Sequence, residues 1–298
     1  MPAEPEPPRL AVSDNDIRLL MEKQFPQWKA LDIERIEPGG WDNHSFRLGS
    51  DRLVRLPSAE RYAFQVAREQ QWLPHLAPHL PLAIPEPLAE GRASAIYPWP
   101  WSVHRWIAGA VPPRDTICHR TDIAHMLAHF LIALQGAPVA DAPMDNPFGR
   151  GQSPRLYDAA AREAINRLVD WLDAERAIAV WERALLSDWQ EDPIWVHGDI
   201  SLGNLLWDGD QLVAVIDFGN MAIGDPSCDL VAAWTIFEAA ARETFRDAFA
   251  LDAACWSRAR GWALWKALIT LAAIADKRSA KALGQLRIID AVIADTPG

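Results

Sequence analysis

The stretch Ile194–Asn220, IWVHGDISLGNLLWDGDQLVAVIDFGN, places polar side chains where short apolar runs begin and end. The runs IWVH, NLLW and LVAVI are typical of strands, and the Asp-Gly pair between the last two is a strong turn signal. These two runs are therefore predicted to form an antiparallel hairpin. Asn204 precedes its first strand and Asp217 follows its second, so both lie at its open end. Asp199 lies in the loop that leads to the same edge.

Three oxygen-bearing side chains at one edge suit phosphate chemistry with a divalent cation. Carboxylates and an amide carbonyl are hard ligands of the kind that Mg²⁺ takes together with phosphate and water. A further carboxylate nearby could accept the proton of an attacking hydroxyl or orient it. Taken singly, each of these is also an ordinary turn residue, and the neighbouring His197 an ordinary packed histidine. The combination H-x-D-x-x-x-x-N, followed thirteen residues later by D-F-G, favours a site.

The motifs HGDISLGN and IDFG, with GDPSCDL just behind them, resemble the catalytic loop and metal-binding motif of the aminoglycoside phosphotransferase family, which has a protein-kinase-like fold. The resemblance implies that Asp199 is the catalytic base or positions the acceptor hydroxyl. It implies that Asn204 and Asp217 bind Mg²⁺, and that ATP or GTP is the phosphate donor. His197 and Asp229 would support the catalytic loop.

Two departures from protein kinases indicate a small-molecule acceptor. Gly198 stands where those enzymes have the arginine of H-R-D, so the residue that would pair with a phosphorylated activation loop is missing. Only Asn220 to Gly224 separate D-F-G from DPSCDL, which is too short for a peptide-docking platform. Asp225 in this segment lies either near the cleft or in a turn or cap.

A cation is expected near the donor phosphates, held by an acidic partner. Arg55 ends a predicted strand, and Glu69 lies on the apolar stripe of the following helix, where an unpaired carboxylate would be costly. An Arg55–Glu69 ion pair removes that cost and would hold the guanidinium over the phosphates. The alternative is that Glu69 reaches solvent from the edge of the stripe. The family more often has lysine at the position of Arg55, but arginine also binds phosphate.

The segment PGGWDNHSF, between two strand signals, is either a phosphate lid or an ordinary hairpin turn. Gly39 and Gly40 would let the backbone approach phosphates, and Asn43 and Ser45 are possible phosphate or lid contacts.

The segment SVHRWIAG occupies the position of the kinase hinge. By resemblance, the backbone of Arg105 and of Ile107 would bond to the purine, and His104 would fill the back of that pocket.

The acceptor pocket of this fold is built by helices of the larger lobe, here residues 155–187 and parts of 227–265. Acidic and aromatic residues there would suit a cationic sugar, although a solvated face and a core explain them equally well. They are Asp170, Asp173, Glu182, Glu238, Trp171, Trp181, Trp234 and Trp262. The sequence thus predicts a kinase of a small hydroxylated molecule, aminoglycoside-like by resemblance. The alternatives are a kinase of a macrolide, choline, homoserine or another metabolite, or a catalytically silent nucleotide-binding protein.

The pattern of apolar residues predicts an α+β, bilobal architecture. A disordered tail is expected over residues 1–10, a nucleotide-binding lobe with an antiparallel sheet and one main helix over 11–107, and a mainly helical catalytic and acceptor-binding lobe over 108–298. Strands are predicted at 33–37, 44–48, 52–56 and 93–97, and helices at 14–25 and 59–76. A connector is predicted at 98–113, then helical spacing across 123–134 and helices at 155–187, 227–250, 256–275 and 279–294.

Composition narrows the class of partner and the compartment. The formal net charge of -11 argues against a nucleic-acid partner and would tolerate a cationic small molecule. The three cysteines lack a CxxC pair, which fits a reducing compartment. The N-terminus has no signal-peptide pattern, and the longest apolar segment, GWALWKALITLAAIA, is too short to span a membrane. A cytoplasmic protein without a membrane partner is expected.

Overall fold

The N-terminal part of the chain forms a five-stranded antiparallel sheet. The computed structural model describes residues 9–37, 39–139, 142 and 146–295. The strands lie in the order β1-β2-β3-β5-β4. Their bounds are Ile33–Arg35 (β1), Asn43–Leu48 (β2), Arg52–Pro57 (β3), Pro87–Gly91 (β4) and Trp101–Arg105 (β5).

Alternation along β2 and β3 gives the sheet a core face and a cavity face. Phe46 and Leu48 of β2 and Val54 and Leu56 of β3 are fully buried in one cluster with helix α1 (Asp14–Gln24). Ser45, Leu53 and Arg55, which alternate with these residues, line the large cavity of the molecule.

The main helix of this part, α2 (Phe64–Leu76), runs from the sheet toward the second half of the chain. It contacts the turn Phe218–Asn220, which contains most of the D-F-G motif. Its buried side includes Val66, Leu73 and, unusually for a carboxylate, Glu69, which is 3% exposed. A helix so placed brings the carboxylate of Glu69 close to the turn that contains the D-F-G motif.

The remainder of the chain is mainly helical. Its helices are α3 (Arg114–Ile117), α4 (Thr121–Gln135), α5 (Asp158–Arg167), α6 (Ala174–Ala184), α7 (Ala232–Thr235), α8 (Ala239–Asp247), α9 (Ala253–Ala273) and α10 (Ala280–Ala294). The 21-residue α9 is central, because it packs against α5, α6 and α10. The close approach of α6 shows at Gly261, where a Cβ would lie 2.5 Å from that of Ala184.

Two short antiparallel pairs interrupt the helices and carry the motifs. Strand β6 (Ile194–Val196) pairs with β9 (Ala222–Gly224), and β7 (Leu205–Trp207) pairs with β8 (Leu212–Val215). The β7–β8 pair is the predicted hairpin.

The α+β, bilobal fold class is confirmed, and several element boundaries are corrected. The predicted strand at 93–97 is wrong, because Ser94 and Tyr97 close a turn there (N to O 2.8 Å) and the Tyr97 hydroxyl bonds to the carbonyl of Pro57. A strand, β5, instead lies inside the predicted connector. The long helix predicted at 155–187 is divided where Asp173 caps α6, and the one at 227–250 is divided at Ala239, whose φ is 44°.

Residues 1–8 of the predicted disordered tail lie outside the described residues, but the end of that tail is hydrogen-bonded. Leu10 donates its N–H to Ser58 O (2.8 Å), and Arg9 donates to the carbonyl of Gly40 (2.9 Å). Within the described part of the chain, no helix has the length and apolar character required to cross a membrane.

Candidate active site

A cavity of about 1080 Å³ lies between the sheet and the helical part. Most of the predicted site residues line it: Gly39, Gly40, Asn43, Ser45, Arg55, Arg105, Ile107, Asp199, Asn204 and Asp217. The other three, Glu69, His197 and Asp229, lie behind its wall and bond to residues that line it or to their neighbours. The structure therefore brings the predicted residues together around one space.

The open end of the β7–β8 hairpin places Asn204 beside Asp199 and close to Asp217. Ile216, one residue before Asp217, donates its N–H to Asn204 O (2.9 Å). The Asn204 Nδ2 donates to the backbone carbonyl of Asp199 (2.9 Å), so its Oδ1 is available as a ligand. Asp217 has a φ of 66°, a left-handed conformation that is uncommon for a residue other than glycine and often marks functional sites.

Asp229 holds the backbone that leads into Asp199. Its carboxylate accepts the N–H of His197 (2.6 Å) and of Gly198 (2.8 Å). Burial raises the pKa of Asp229, although His197 and the two N–H groups oppose the rise. The His197 ring packs edge-on against Phe218 and its Nε2 lies 3.1 Å from Ile216 O, so it ties the loop to the hairpin.

The expected ion pair between Arg55 and Glu69 is present and buried. Arg55 Nη1 donates to both carboxylate oxygens of Glu69, at 2.8 and 2.9 Å, and Nη2 donates to Asp217 Oδ1 at 2.6 Å. Burial alone would lower the pKa of Arg55, but the two carboxylates outweigh burial and raise it, so the guanidinium is charged. A permanent cation thus lies next to the carboxylate expected to bind the metal.

Lys266 of α9 forms an ion pair with Asp199 that the sequence interpretation missed. Its Nζ contacts Asp199 Oδ1, and both side chains are partly exposed at the cavity. Burial alone would raise the pKa of Asp199, but Lys266 and, at longer range, Arg150 outweigh burial and hold it below its usual value. The carboxylate is therefore ionised at neutral pH. The signal in the sequence was a single charge in the apolar segment of α9.

Gly198 is required by its backbone and by its neighbours. Its φ is +81°, and a Cβ there would lie 2.3 Å from Asn220 O and 3.0 Å from the Cβ and Cγ of Arg150. No side chain fits where protein kinases carry their H-R-D arginine. The stem of Arg150 passes beside this position instead.

The donor end of the cavity is bounded by the glycine pair, β2 and the end of β5. A Cβ at Gly39 or Gly40 would meet nothing closer than 3.6 Å, so their own surroundings do not require glycine. The N–H of Arg105 bonds to Glu86 O (2.8 Å), which leaves its carbonyl for the expected purine contact.

His104 lines the back of the cavity and is fully buried. Burial, with a smaller effect from Arg55, lowers its pKa to about 3, so the ring is neutral. The sequence interpretation placed His104 at this position behind the purine.

The acidic and aromatic residues considered for the acceptor do not line this cavity. Asp173 caps α6, Glu182 pairs with Arg162, and Glu238 pairs with Arg114. Asp225, the other residue left open, caps a turn and pairs with Arg258 (2.7 Å) in the interior. The wall opposite the sheet is formed instead by residues that the sequence interpretation missed: Phe148, Arg150, Tyr157, Trp265, Lys266, Ile269 and Thr270.

The donor set at the hairpin fits Mg²⁺. Asp217 offers a carboxylate and Asn204 an amide oxygen, which are ligands of the hard type that Mg²⁺ prefers. A third oxygen, Asn220 Oδ1, is buried at the same cavity without a hydrogen-bond partner in the described residues. A buried acceptor of this kind requires a hydrogen-bond donor or a cation, which bound water or Mg²⁺ in the cavity would supply.

Replacing Lys266 with methionine should raise the pKa of Asp199, because burial would then act without the ammonium. If Asp199 is the base that the resemblance implies, it must be ionised, so activity is lost as the pH falls through its pKa, and the variant should lose activity at a higher pH than the natural protein. The measurement is the pH profile of kcat with ATP and Mg²⁺ saturating. Lys281→Met, on the exposed side of α10, is the matched control. If kcat of the natural protein and of Lys266→Met fell at the same acidic pH, Lys266 would not be the group that lowers the pKa of the base.

Comparisons with known proteins find similar phosphotransferases. A model of the phosphotransferase enzyme family matches residues 32–263. An aminoglycoside 3'-phosphotransferase of Salmonella typhimurium is 33% identical over 120 residues, 38% of this chain and 42% of the relative. One of Escherichia coli has the same identity and coverage. The alignment thus spans less than half the length of these curated relatives.

Solved structures extend the likeness over nearly the whole chain. The GDP complex of a variant of aminoglycoside 2'-phosphotransferase-IIIa matches with a TM-score of 0.71 at 20% identity, covering 95% of this chain and 98% of that one. A macrolide 2'-phosphotransferase of Brachybacterium faecium matches with a TM-score of 0.60 at 19% identity, covering 93% and 98%. Likeness at these identities shows the fold, and the predicted protein-kinase-like architecture is confirmed.

Proposed function

This chain belongs to the phosphotransferase enzyme family, and we propose that it transfers the terminal phosphate of ATP or GTP, with Mg²⁺, to a hydroxyl of a small molecule. The observation that carries the proposal is that Asp199, Asn204 and Asp217 line one cavity together with Arg55, which is paired with the buried Glu69 and bonded to Asp217. Residues 11–107 would bind the nucleotide, and residues 108–298 would supply the catalytic loop and the acceptor pocket.

Each residue has a role that follows from its place. Asp217 and Asn204 would hold Mg²⁺, which supplies charge neutralisation at the phosphates when bound. Arg55, kept charged and oriented by Glu69, would bind phosphate oxygens. Gly39 and Gly40 would let the backbone approach the phosphates closely, and Asn43 and Ser45 lie next to them in the cavity wall.

The acceptor hydroxyl would be oriented by Asp199. The oxygen of this hydroxyl would form a bond to the γ-phosphorus as the bond between that phosphorus and the bridging oxygen breaks. The nucleoside diphosphate leaves with the electron pair, and the hydroxyl proton passes to Asp199 and on to water. His197 and Asp229 would keep the loop in place during the transfer without touching the reactants.

The relatives suggest which acceptors to test first. Their names specify aminoglycosides and macrolides, and solved neighbours include complexes with kanamycin and with streptomycin and ATP. Choline and homoserine extend the panel to small metabolites. A silent nucleotide-binding protein would bind ATP and release no ADP with any acceptor.

Mg²⁺-dependent nucleotide binding tests the donor half. We expect ATP with Mg²⁺ to raise the melting temperature of the natural protein more than ATP alone, because bound ligand stabilises the folded state. Asp217→Asn removes the anionic metal ligand and should abolish the extra increase. Asp210→Asn, in the exposed turn of the same hairpin, should leave it unchanged. The proposal fails if neither ATP nor GTP, with Mg²⁺, raises the melting temperature of the natural protein.

A further inference from the structure

The end of the cavity beyond Asp199 has an excess of positive charge. Arg61, Arg150 and Lys266 line it, and of these only Lys266 has a carboxylate partner among the described residues. The carboxylates that line the cavity in the described part of the chain are Asp42, Asp199 and Asp217. Each already has a partner, which is Gln65 for Asp42, Lys266 for Asp199 and Arg55 for Asp217.

Arg150 is the central cation of this region. Its guanidinium carbon lies 5.3 Å from the ring centroid of Trp262 and 5.6 Å from that of Trp265. Its Nε is buried and makes no hydrogen bond within the described residues. Aromatic faces compensate only in part for removing a guanidinium from water, so Arg150 retains donors for an anion.

Arg150 is also held in place. Its stem packs against Gly198, and it shares with Lys266 a small recess beside Asp199. Its charge lowers the pKa of Asp199, which places it within electrostatic reach of that carboxylate. Two cations on the helical wall therefore border the group that would orient the acceptor hydroxyl.

These cations lie on the wall opposite the donor site. Arg55, the cation expected at the phosphates, belongs to the sheet, whereas Arg150 and Lys266 belong to the helical part. Beside them, the rings of Tyr157 and Trp265 stack at 3.8 Å and offer an apolar surface to a carbon skeleton. Asp199 compensates Lys266 here, but Arg150 has no carboxylate partner among the described residues, so a polycation placed here would meet an excess of like charge, which disfavours it.

We propose that the acceptor is a hydroxylated small molecule with an anionic group, a carboxylate or a phosphate, that binds Arg150 and Lys266. The inference rests on the proposed phosphoryl transfer and specifies its substrate class. Binding of the anion to these two cations would direct a neighbouring hydroxyl of the same molecule toward Asp199. The bonds formed and broken are those of the proposed reaction.

Four probes with one six-carbon skeleton test the charge preference: gluconate, glucose 6-phosphate, glucose and glucosamine, with kanamycin as a fifth. ADP release is measured with ATP and Mg²⁺ saturating, and binding by calorimetry with a non-hydrolysable ATP analogue. We expect gluconate or glucose 6-phosphate to bind at least 10-fold more tightly than glucose, with glucosamine and kanamycin weakest. The better of the two anions distinguishes a carboxylate from a phosphate site.

The variant Arg150→Gln separates acceptor binding from donor binding. It should raise KM, or Kd, for the anionic probe by about 10- to 100-fold, since a charged hydrogen-bond donor is lost, and leave KM for ATP within about 2-fold. Arg176→Gln removes the same charge from an exposed position on α6 and should change neither constant.

Several results would overturn the inference. The first is that kanamycin or glucosamine binds more tightly than both anions. The second is that neither anion binds. The third is that Arg150→Gln raises KM for ATP and leaves KM or Kd for the anionic probe unchanged. Any of these with intact Mg²⁺-dependent ATP binding leaves the proposed phosphoryl transfer standing. Loss of that nucleotide binding in the natural protein would instead remove the proposed function itself.

Discussion

Asp199→Asn is expected to lower kcat by about 10²- to 10⁴-fold, the range that general acid–base groups contribute. The amide keeps the shape of the carboxylate but cannot accept the proton of the acceptor hydroxyl. Nucleotide binding should persist, because Arg55, Asn204 and Asp217 are untouched. The measurement is ADP release with an active acceptor, alongside the increase in melting temperature with ATP and Mg²⁺.

The same change elsewhere on the catalytic hairpin provides the control. Asp210 is exposed in its turn, and Asp210→Asn should retain full activity. The ion pair of Asp199 with Lys266 is partly exposed, so its loss should cost no more than about 1 kcal/mol of stability. A kcat for Asp199→Asn within about 10-fold of the natural value would show that Asp199 is not the group that handles the hydroxyl.

Gly224→Ala is expected to lower the free energy of unfolding by about 4 kcal/mol, from backbone strain and a clash together. Gly224 has a φ of +157°, and a Cβ there would lie 1.9 Å from the carbonyl oxygen of Gly151. That carbonyl also accepts the N–H of Asp225 (2.8 Å), so it cannot move away freely. Urea unfolding measures the loss.

Gly284 offers a matched substitution with the opposite sign. It lies in α10, a Cβ there would meet nothing within 4 Å, and alanine favours a helix over glycine by up to about 1 kcal/mol. Gly284→Ala should therefore be neutral or stabilising. If Gly224→Ala were equally harmless, the contact between Gly151 and Gly224 would not be as close and as rigid as the structure shows.

The parts of the site that depend on local sequence were predictable. The β7–β8 hairpin follows from two apolar runs and a turn signal, so the proximity of Asn204 and Asp217 could be inferred without a structure. The Arg55–Glu69 pair followed from helical periodicity, because a carboxylate on an apolar stripe needs a partner. Local patterns failed at 93–97, where the apolar residues that predicted a strand belong to a turn that buries Tyr97.

The acceptor wall could not be predicted in this way. Arg150 and Lys266 are far apart in the chain, and only the packing of α9 against the loop at 197–199 brings them together. The single lysine of an apolar helix and the missing side chain at Gly198 were both visible in the sequence. Neither signal indicates which distant residue occupies the vacant space.

The buried segment behind the D-F-G motif has a consequence for how such an enzyme is controlled in a cell. Residues 221–234 are all buried, and they include Ser227, the segment's hydroxyl residue, which is fully enclosed. A protein kinase therefore has no accessible serine to phosphorylate in this segment, and Gly198 carries no charge that could pair with a phosphate there. Phosphorylation of this segment would therefore not regulate the proposed activity, in contrast to the activation loops of protein kinases.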